Sequence, residues 1–361
     1  MTLWNRIALL LALAAVGLSS ARADDDHNQD RSVLAQLPTS PERIVSTIPP
    51  NGDVNPYGVA FVPGGFPAGG ILAPGNILVS NFNSSTGGQG TGTTIVNIAP
   101  GAPAALFFQG QPGLGLTTAL GVLRAGFVLV GNVPTNGGTT AGQGSLLVID
   151  HVGNLVATLA NATFLDGPWD LTINDQGNNA QVFVSNVLNG TVTRLDVFMG
   201  DGKFHVTGAN QIAHGYTHRT DPAALVIGPT GLAYNPFLDL LYVASTGDNE
   251  IFAIPFAAHT NKDLMLGVPV YKDSAHLHGP LGLVLAPNGH LITANGDAVN
   301  PGGTQNALVE FTPFGQFVAQ FQVDPGAAGA AFGLAISNDP FSFRFAAVND
   351  NQNTLDIWSL Q

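Results

Sequence analysis

A short phrase recurs along the chain and strongly limits what it can fold into. The clearest copy reads Asn-Pro-Tyr-Gly-Val-Ala-Phe at residues 55–61, followed by Gly-Asn-Ile-Leu-Val-Ser-Asn at residues 75–81. The other five copies, two of them degenerate, pair residues 167–173 with 182–186, 228–234 with 241–245, 278–284 with 289–295, 119–122 with 128–132, and 331–334 with 345–349. Six copies at a period of roughly 50 to 60 residues predict the six blades of a β-propeller.

Each repeat predicts four antiparallel strands, so the fold class is all-β. In the fifth repeat we place them at 281–286, 290–295, 307–312 and 317–323, with Pro-Phe-Gly at 313–315 as a hairpin turn. The second strands are continuously apolar, as expected when blades pack on both of their faces. Alanine recurs in the first strands, where the taper toward the propeller axis leaves little room: Ala60, Ala233 and Ala335.

The two ends of the chain predict how the ring closes. The sixth repeat stops after its third strand, at residues 354–358, while a β-like segment at residues 43–48 precedes the first repeat. We expect this N-terminal strand to complete the last blade, because the ring then has no unpaired edge.

The chain begins with the pattern of an export signal. Arg6 is followed by an apolar run at residues 7–18 and by Ala-Arg-Ala at residues 21–23. We therefore predict a signal peptide at 1–23, a flexible acidic leader at 24–41 and a single propeller domain at 42–361. The predicted location is secreted or periplasmic, and no membrane insertion is expected after signal removal because no later apolar run approaches the length of a span.

Composition excludes several kinds of site and partner. The chain has no cysteine, which excludes disulfides, a thiol nucleophile and thiolate metal sites. Loss of Arg6 and Arg22 with the signal leaves nine basic residues against 24 acidic ones, a formal charge of −15. This balance argues against nucleic acid and anionic membranes as partners and is compatible with cations or neutral polar ligands.

The repeated phrase resembles the NHL repeat and the wider six-bladed group that includes SMP-30/gluconolactonase-like proteins. The resemblance covers residues 42–361 and implies the fold. NHL repeats usually end the second strand in Val-x-Asp, whereas this chain has Asn at most of those positions. Lactonase-like members bind a divalent ion through an early Glu with Asn and Asp, so the resemblance makes a divalent cation conceivable here. However, Asn55 rather than Glu precedes Pro56.

A second resemblance concerns virginiamycin B lyase-like propellers, which also carry Gly-Pro-x-Gly phrases. The segment His-Gly-Pro-Leu-Gly at residues 278–282 is similar. No acidic residue stands beside His278 to complete a site of that kind.

Propeller geometry gathers distant residues at one face. The loop entering the first strand and the loop leaving the second surround the mouth of the central channel. We expect Asp166, Asp170 and His278 nearby. The same face should hold a ring of asparagines and the residues between Pro and Gly in the phrase: Asn81, Asn132, Asn186, Asn295 and Asn349, with Tyr57, Leu120, Trp169, Thr230, Leu281 and Phe332.

Three insertions on this face consist mostly of Gly, Ser, Thr, Asn and Gln, at residues 83–92, 134–144 and 296–305. With the asparagines and aromatics they could form a polar rim for a carbohydrate or another polar small molecule. The alternative is structural: each Asn bonds its own turn, and the aromatic side chains plug the channel.

The histidines offer a weaker signal. His276 and His278 share one face of a strand, and His214 and His218 are four residues apart. Neutral imidazole binds zinc or copper, usually with a third ligand, and the sequence shows none beside either pair. We therefore interpret them as ordinary polar histidines. Neither a phosphate-binding loop nor a Gly-x-Ser-x-Gly elbow occurs.

Two function hypotheses follow. The first is an exported binding or interaction protein whose partner, a polar small molecule, a carbohydrate or a protein, meets the channel face. The second is a metal-assisted lactonase, hydrolase or lyase at the channel mouth, which would need Asp166, Asp170, His278 or Asp297 to converge there. The scarcity of carboxylates among the predicted mouth residues favours binding.

We predict cleavage after Ala23. Intact-mass measurement of the exported protein should give a chain that starts at Asp24, because the small residues at 21–23 follow directly on the apolar run. An exported protein that still carries residues 7–18 would contradict the prediction.

Overall fold

The computed structural model describes residues 32–86, 88–296, 307–324, 331–337 and 343–360. The predicted signal peptide, the first part of the leader and Asp297 lie outside these residues. In the described part, no helix is long and apolar enough to cross a membrane.

The strands form six four-stranded antiparallel sheets. The chain starts with helix α1 (Val33–Gln36) and strand β1 (Arg43–Ser46). Blade 1 consists of β2 (Val54–Phe61), β3 (Ile77–Asn83), β4 (Thr94–Ile98) and β5 (Ala104–Gln109). Blade 2 consists of β6 (Leu116–Leu123), β7 (Phe127–Asn132), β8 (Ser145–Asp150) and β9 (Leu155–Leu159). Blade 3 consists of β10 (Pro168–Asp175), β11 (Asn179–Asn186), β12 (Thr191–Gly200) and β13 (Lys203–His214).

The second half repeats this pattern after a short hairpin, β14 (Arg219–Asp221) and β15 (Leu225–Ile227), which joins blades 3 and 4. Blade 4 consists of β16 (Pro229–Asn235), β17 (Leu240–Ser245), β18 (Glu250–Pro255) and β19 (Val268–Tyr271). Blade 5 consists of β20 (Pro280–Leu285), β21 (Leu291–Asn295), β22 (Ala307–Phe311) and β23 (Phe317–Gln322). Blade 6 consists of β24 (Leu334–Ile336), β25 (Arg344–Asn349) and β26 (Thr354–Ser359), together with β1.

The first strand of every blade contacts the first strand of the next, and β24 contacts β2, so the blades form a closed ring. This confirms the predicted six-bladed propeller. The strands of the fifth repeat also lie within a residue or two of their predicted bounds. The buried apolar residues form clusters between adjacent blades, as the continuously apolar second strands predict.

The glycine of the repeated phrase permits close contact between neighbouring first strands. A Cβ added at Gly231 would lie 2.2 Å from the carbonyl oxygen of Leu281, and one at Gly282 would lie 2.3 Å from that of Phe332. Gly58 and Gly333 face the carbonyls of Thr118 and Tyr57 in the same way. Backbone therefore meets backbone around the axis, and any larger residue would push two blades apart.

Hydroxyl side chains add hydrogen bonds between these strands. Ser80 donates to the carbonyl of Thr117, and Thr117 in turn donates to the carbonyl of Pro168. Ser185 donates to Thr230, whose own hydroxyl has the carbonyl of Pro280 at 3.0 Å. Each bond joins one blade to the next.

The N-terminal strand closes the ring as predicted. Strand β1 pairs antiparallel with β26, with Arg43 opposite Ile357 and Ser46 opposite Thr354. The Arg43 guanidinium also donates to the carbonyls of Ala99 and Ala102 in blade 1. Strand β1 thus completes blade 6 and attaches it to blade 1.

Residues 32–41, which the sequence analysis assigns to the leader, partly pack on the propeller. The carboxylate of Glu310 is fully buried and accepts hydrogen bonds from the backbone N–H groups of Val33 and Leu34 and from the hydroxyl of Ser32. Burial opposes its ionisation, but these bonds and one with His290 outweigh burial and lower the Glu310 pKa. The polar composition of the leader gave no sign of this buried partner.

We expect truncation to separate the two N-terminal contacts. Deleting residues 24–38 should lower the melting temperature, because Glu310 loses its partners from helix α1. Deleting residues 24–49 should lower it much further, since it also exposes the edge of β26. Thermal unfolding followed by circular dichroism measures both effects. Equal melting temperatures for the two truncations would contradict ring closure by β1.

Candidate functional site

A cavity of about 120 Å³ lies at the channel mouth, on the face predicted from the repeats. Its walls come from the starts of the first strands, from the loops after the second strands and from the β14–β15 hairpin. The lining residues are Asn55, Tyr57, Phe82, Gln89, Trp169, Ala223, Ala224, Val226, Thr230, Thr246, Leu281, Gly296, Phe332 and Asp350.

Aromatic side chains form one wall of this cavity. Tyr57 is stacked between Phe82 and Phe332, with ring centroids 4.5 and 4.7 Å apart. Trp169 stands nearly perpendicular to this stack, at 79° to Tyr57 and 70° to Phe82. All four side chains are buried. They pack together at the channel mouth and also form part of the cavity lining.

The residue at the variable position of the repeated phrase, which follows the Pro in most copies, lies at the mouth in five blades: Tyr57, Trp169, Thr230, Leu281 and Phe332. The exception is Leu120. It pairs with Val130 and so corresponds to Val59 of blade 1, which pairs with Val79, rather than to Tyr57. Leu120 therefore lies deeper in its blade. Thr118 occupies the matching position, with its carbonyl against Gly58. The prediction for Leu120 was wrong because blade 2 lacks the Pro that marks the register and has one extra residue at its bulge.

Two threonine side chains line the cavity. Thr246 Oγ1 donates to the carbonyl of Pro280 at 2.7 Å, and Thr230 Oγ1 lies 3.0 Å from the same oxygen. The two hydroxyl oxygens also lie 3.0 Å from each other, so the pair forms a small hydrogen-bond network within the fold.

Asn55 carries a buried acceptor without a partner. Its backbone is left-handed, with φ of 61°, and its N–H donates to Asn353 Oδ1. Its own Oδ1 is buried and has no hydrogen-bond partner among the described residues. A buried amide oxygen left unpaired costs on the order of 1–3 kcal/mol.

A roof of loop segments covers part of the mouth. Leu225 and Val226 of the β14–β15 hairpin join the core cluster that contains the mouth aromatics. Gln89, from the first polar insertion, donates through Nε2 to the carbonyl of Ala223. Gln89 also forms a β-bridge with Gly137 of the second insertion. These two insertions therefore meet the hairpin across the mouth, whereas most of the third lies outside the described residues.

The five asparagines at the ends of second strands do not line the cavity. All are buried: Asn81, Asn132, Asn186, Asn295 and Asn349. Asn186 accepts from the N–H of Asp166 and donates toward the carbonyl of Phe164 and the hydroxyls of Thr191 and Thr193.

The other four asparagines act in a related way. Asn81 donates to the carbonyl of Thr47, and Asn132 donates to that of Leu114. Asn295 accepts from the N–H of His278 and donates to the carbonyl of His276, while Asn349 accepts from the N–H of Gln352. Four of the five therefore fasten the segment that enters their own blade, and Asn349 fastens the turn that follows it. Any ligand role for them would be indirect, through the position of these loops.

The predicted ionisable residues lie around the mouth but outside the cavity lining. Burial raises the pKa of Asp166, although His218 partly offsets it. Burial also raises the pKa of Asp170 well above its usual range, against the lowering effect of N–H bonds from Leu171 and Leu232. Asp170 therefore holds the first strands of blades 3 and 4 together and favours its neutral form.

Two of the histidine candidates are paired with acids, whereas His218 Nδ1 lies 3.0 Å from the carbonyl oxygen of Tyr216. His214 Nδ1 lies 2.8 Å from Asp263, and His276 Nδ1 lies 2.6 Å from Asp273 while its ring stacks on Phe317. In the described part of the chain, no three His, Cys, Asp or Glu side chains form a group that could hold a metal ion.

Sequence reasoning missed several mouth residues. Phe82 directly follows the ring residue Asn81, and Thr246 and Asp350 hold the same position after Ser245 and Asn349, so the register of the repeat could have located them. The roof hairpin was harder to find, because it belongs to no repeat. Its only local signal is the Asp-Pro pair at residues 221–222, which favours a turn.

Comparison with known proteins supports the fold. No protein-family model and no curated protein sequence matches the chain. A gluconolactonase structure from Xanthomonas campestris is similar, with 14% identity, coverage of 91% of this chain and 92% of that chain, and a TM-score of 0.57.

Two further structures are similar at comparable identity. A Thermus thermophilus protein named as an oxidoreductase (glucose dehydrogenase) has 14% identity, covers 87% of this chain and 99% of that chain, and has a TM-score of 0.51. A virginiamycin B lyase from Staphylococcus aureus has 13% identity, coverage of 88% and 89%, and a TM-score of 0.49. At such identity the likeness concerns the fold alone. The gluconolactonase and Thermus thermophilus structures confirm the predicted resemblance to the SMP-30/gluconolactonase-like six-bladed group at that level.

Replacing Asn186 by Ala tests the structural role of the asparagine ring. We expect a loss of about 2–4 kcal/mol in unfolding free energy, because the substitution leaves several buried groups unpaired. Urea unfolding at neutral pH measures the loss. The matched control is Asn178→Ala, an exposed asparagine in the same blade, which should change stability by less than about 0.5 kcal/mol. Similar losses in both variants would contradict the structural role.

Proposed function

We propose that the protein is an exported binding propeller, without chemistry of its own, which takes one small group of a ligand into the mouth cavity. The observation that carries the proposal is the cavity itself: five first strands converge on it, and a hairpin from outside the repeats partly covers it. Concave sites with aromatic walls and a few convergent polar groups are the usual form of small-molecule sites in proteins.

The size of the cavity limits what can enter. At about 120 Å³ it is smaller than an engineered cavity of about 150 Å³ that binds benzene. One ring-sized or smaller group fits, and the rest of a larger ligand must lie over the polar insertions at 83–92 and 134–144. The ligand is therefore recognised by one end.

The polar groups of the cavity suit binding by hydrogen bonds. Thr230 and Thr246 bring hydroxyl groups to the lining, and Asn55 and Gln89 bring amide groups. The aromatic wall offers ring surface for stacking or for contact with apolar hydrogens. None of these groups needs to change its protonation state to bind a molecule, which favours recognition over proton transfer.

The metal-assisted lactonase, hydrolase or lyase remains the second hypothesis, through the resemblance described above. Metal analysis of the mature protein distinguishes it: one equivalent of a tightly held divalent ion would favour it. The location outside the cytoplasm also stays a prediction, tested by the mass measurement given above.

We expect Trp169 to report binding. In the mature chain the other tryptophan is Trp358, so a Trp358→Phe background leaves Trp169 as the single indole. Titration with a panel of monosaccharides, amino acids and small amines should give a saturable change in its emission for at least one compound. Melting temperatures, measured in parallel, should rise with the same compound.

A cavity-filling variant provides the control. Ala224→Leu places extra volume in the cavity and should abolish binding. Ala105→Leu makes the same change at an exposed position on β5 and should leave binding intact. Binding that survives Ala224→Leu would place the site elsewhere. A panel that moves neither emission nor melting temperature would count against the proposal.

A further inference from the structure

We infer that the group taken into the mouth cavity is an organic cation, an alkylated or methylated ammonium. This inference rests on the proposed function and names the chemical class of its ligand. Two independent features of the cavity support it: the aromatic rings and the sign of the charge.

The aromatic wall has the shape of a corner. Tyr57 has Phe82 and Phe332 stacked on it, so the rings left for a bound group are Trp169, Phe82 and Phe332, and Trp169 lies at 70° to Phe82. A cation beside these rings gains from their negative faces, and Trp provides the most favourable face of the three aromatic types. A flat sugar ring would stack on one ring and gain little from a second ring at this angle.

The electrostatic environment has the required sign. Asp350 is the one charged side chain among the described residues that line the cavity, and no Lys, Arg or His joins it there. The chain as a whole carries a formal charge of −13, which becomes −15 without the signal. An excess of negative charge around a narrow mouth attracts cations and raises their local concentration.

The test compares two molecules of nearly the same shape. Choline carries a trimethylammonium group, and 3,3-dimethylbutan-1-ol carries a neutral tert-butyl group in its place. We expect choline to bind at least about tenfold more tightly, as measured by Trp169 emission in the Trp358→Phe protein, since the cation gains from the ring faces. Equal affinity for the two compounds would overturn the inference.

A charge-removing variant sharpens the test. Asp350→Asn should weaken choline binding by about fivefold at low salt and leave the alcohol unaffected. Asp201→Asn removes the same charge from an exposed turn between β12 and β13 and should have no effect. Equal responses of the two variants would contradict a local role for the Asp350 carboxylate.

The outcomes separate this inference from the proposed function. If the alcohol binds as well as choline and Ala224→Leu blocks both, the cavity binds ligands but not through charge, so the inference fails and the function stands. The same holds if only a sugar from the panel binds. If choline binds and Ala224→Leu has no effect on it, the cation site lies outside the cavity and the inference fails.

Discussion

Contact between backbones around the channel axis is the constraint on which the rest of this structure depends. Gly231, Gly282 and Gly333 each face a carbonyl of the neighbouring first strand at a distance that excludes a Cβ atom. Because these strands approach so closely, the ring can hold six blades and keep only a narrow channel. Hydroxyls such as those of Ser185 and Thr230 add hydrogen bonds that join one blade to the next.

This constraint also creates the candidate site. In five blades the residue at the variable position of the repeated phrase lies at the channel mouth. These five residues line one cavity, among them Tyr57, Trp169 and Phe332. Aromatic side chains at this point fill the widening end of the channel, so packing and recognition use the same atoms. A binding role would therefore require little loss of folding stability, apart from the unpaired buried oxygen of Asn55.

The asparagine ring illustrates how a repeated residue can be important without touching a ligand. Its members are buried, and most fasten the segment that leads into their own blade. A repeat in sequence reports a repeated structural need first, because every blade must solve the same packing problem. Residues that differ among blades, such as Asp350 and Gln89, are better markers of what is particular to one site.

The sequence by itself determined the number of blades, the class of strands and the closure of the ring by residues 43–46, because these follow from a repeated local pattern and from the count of strands at each end. It also located the face that carries the cavity. The register of blade 2 could not be read, since the Pro that marks it elsewhere is absent and one extra residue shifts Leu120 inward.

Only the tertiary structure decided which side chains meet. The roof hairpin at 219–227 belongs to no repeat, and the contact of Ser32, Val33 and Leu34 with Glu310 joins residues almost 280 positions apart. No local pattern encodes such pairs, because each partner looks ordinary in its own segment. The pairing becomes apparent only when the closed ring brings the ends of the chain and the loops of different blades to the same place.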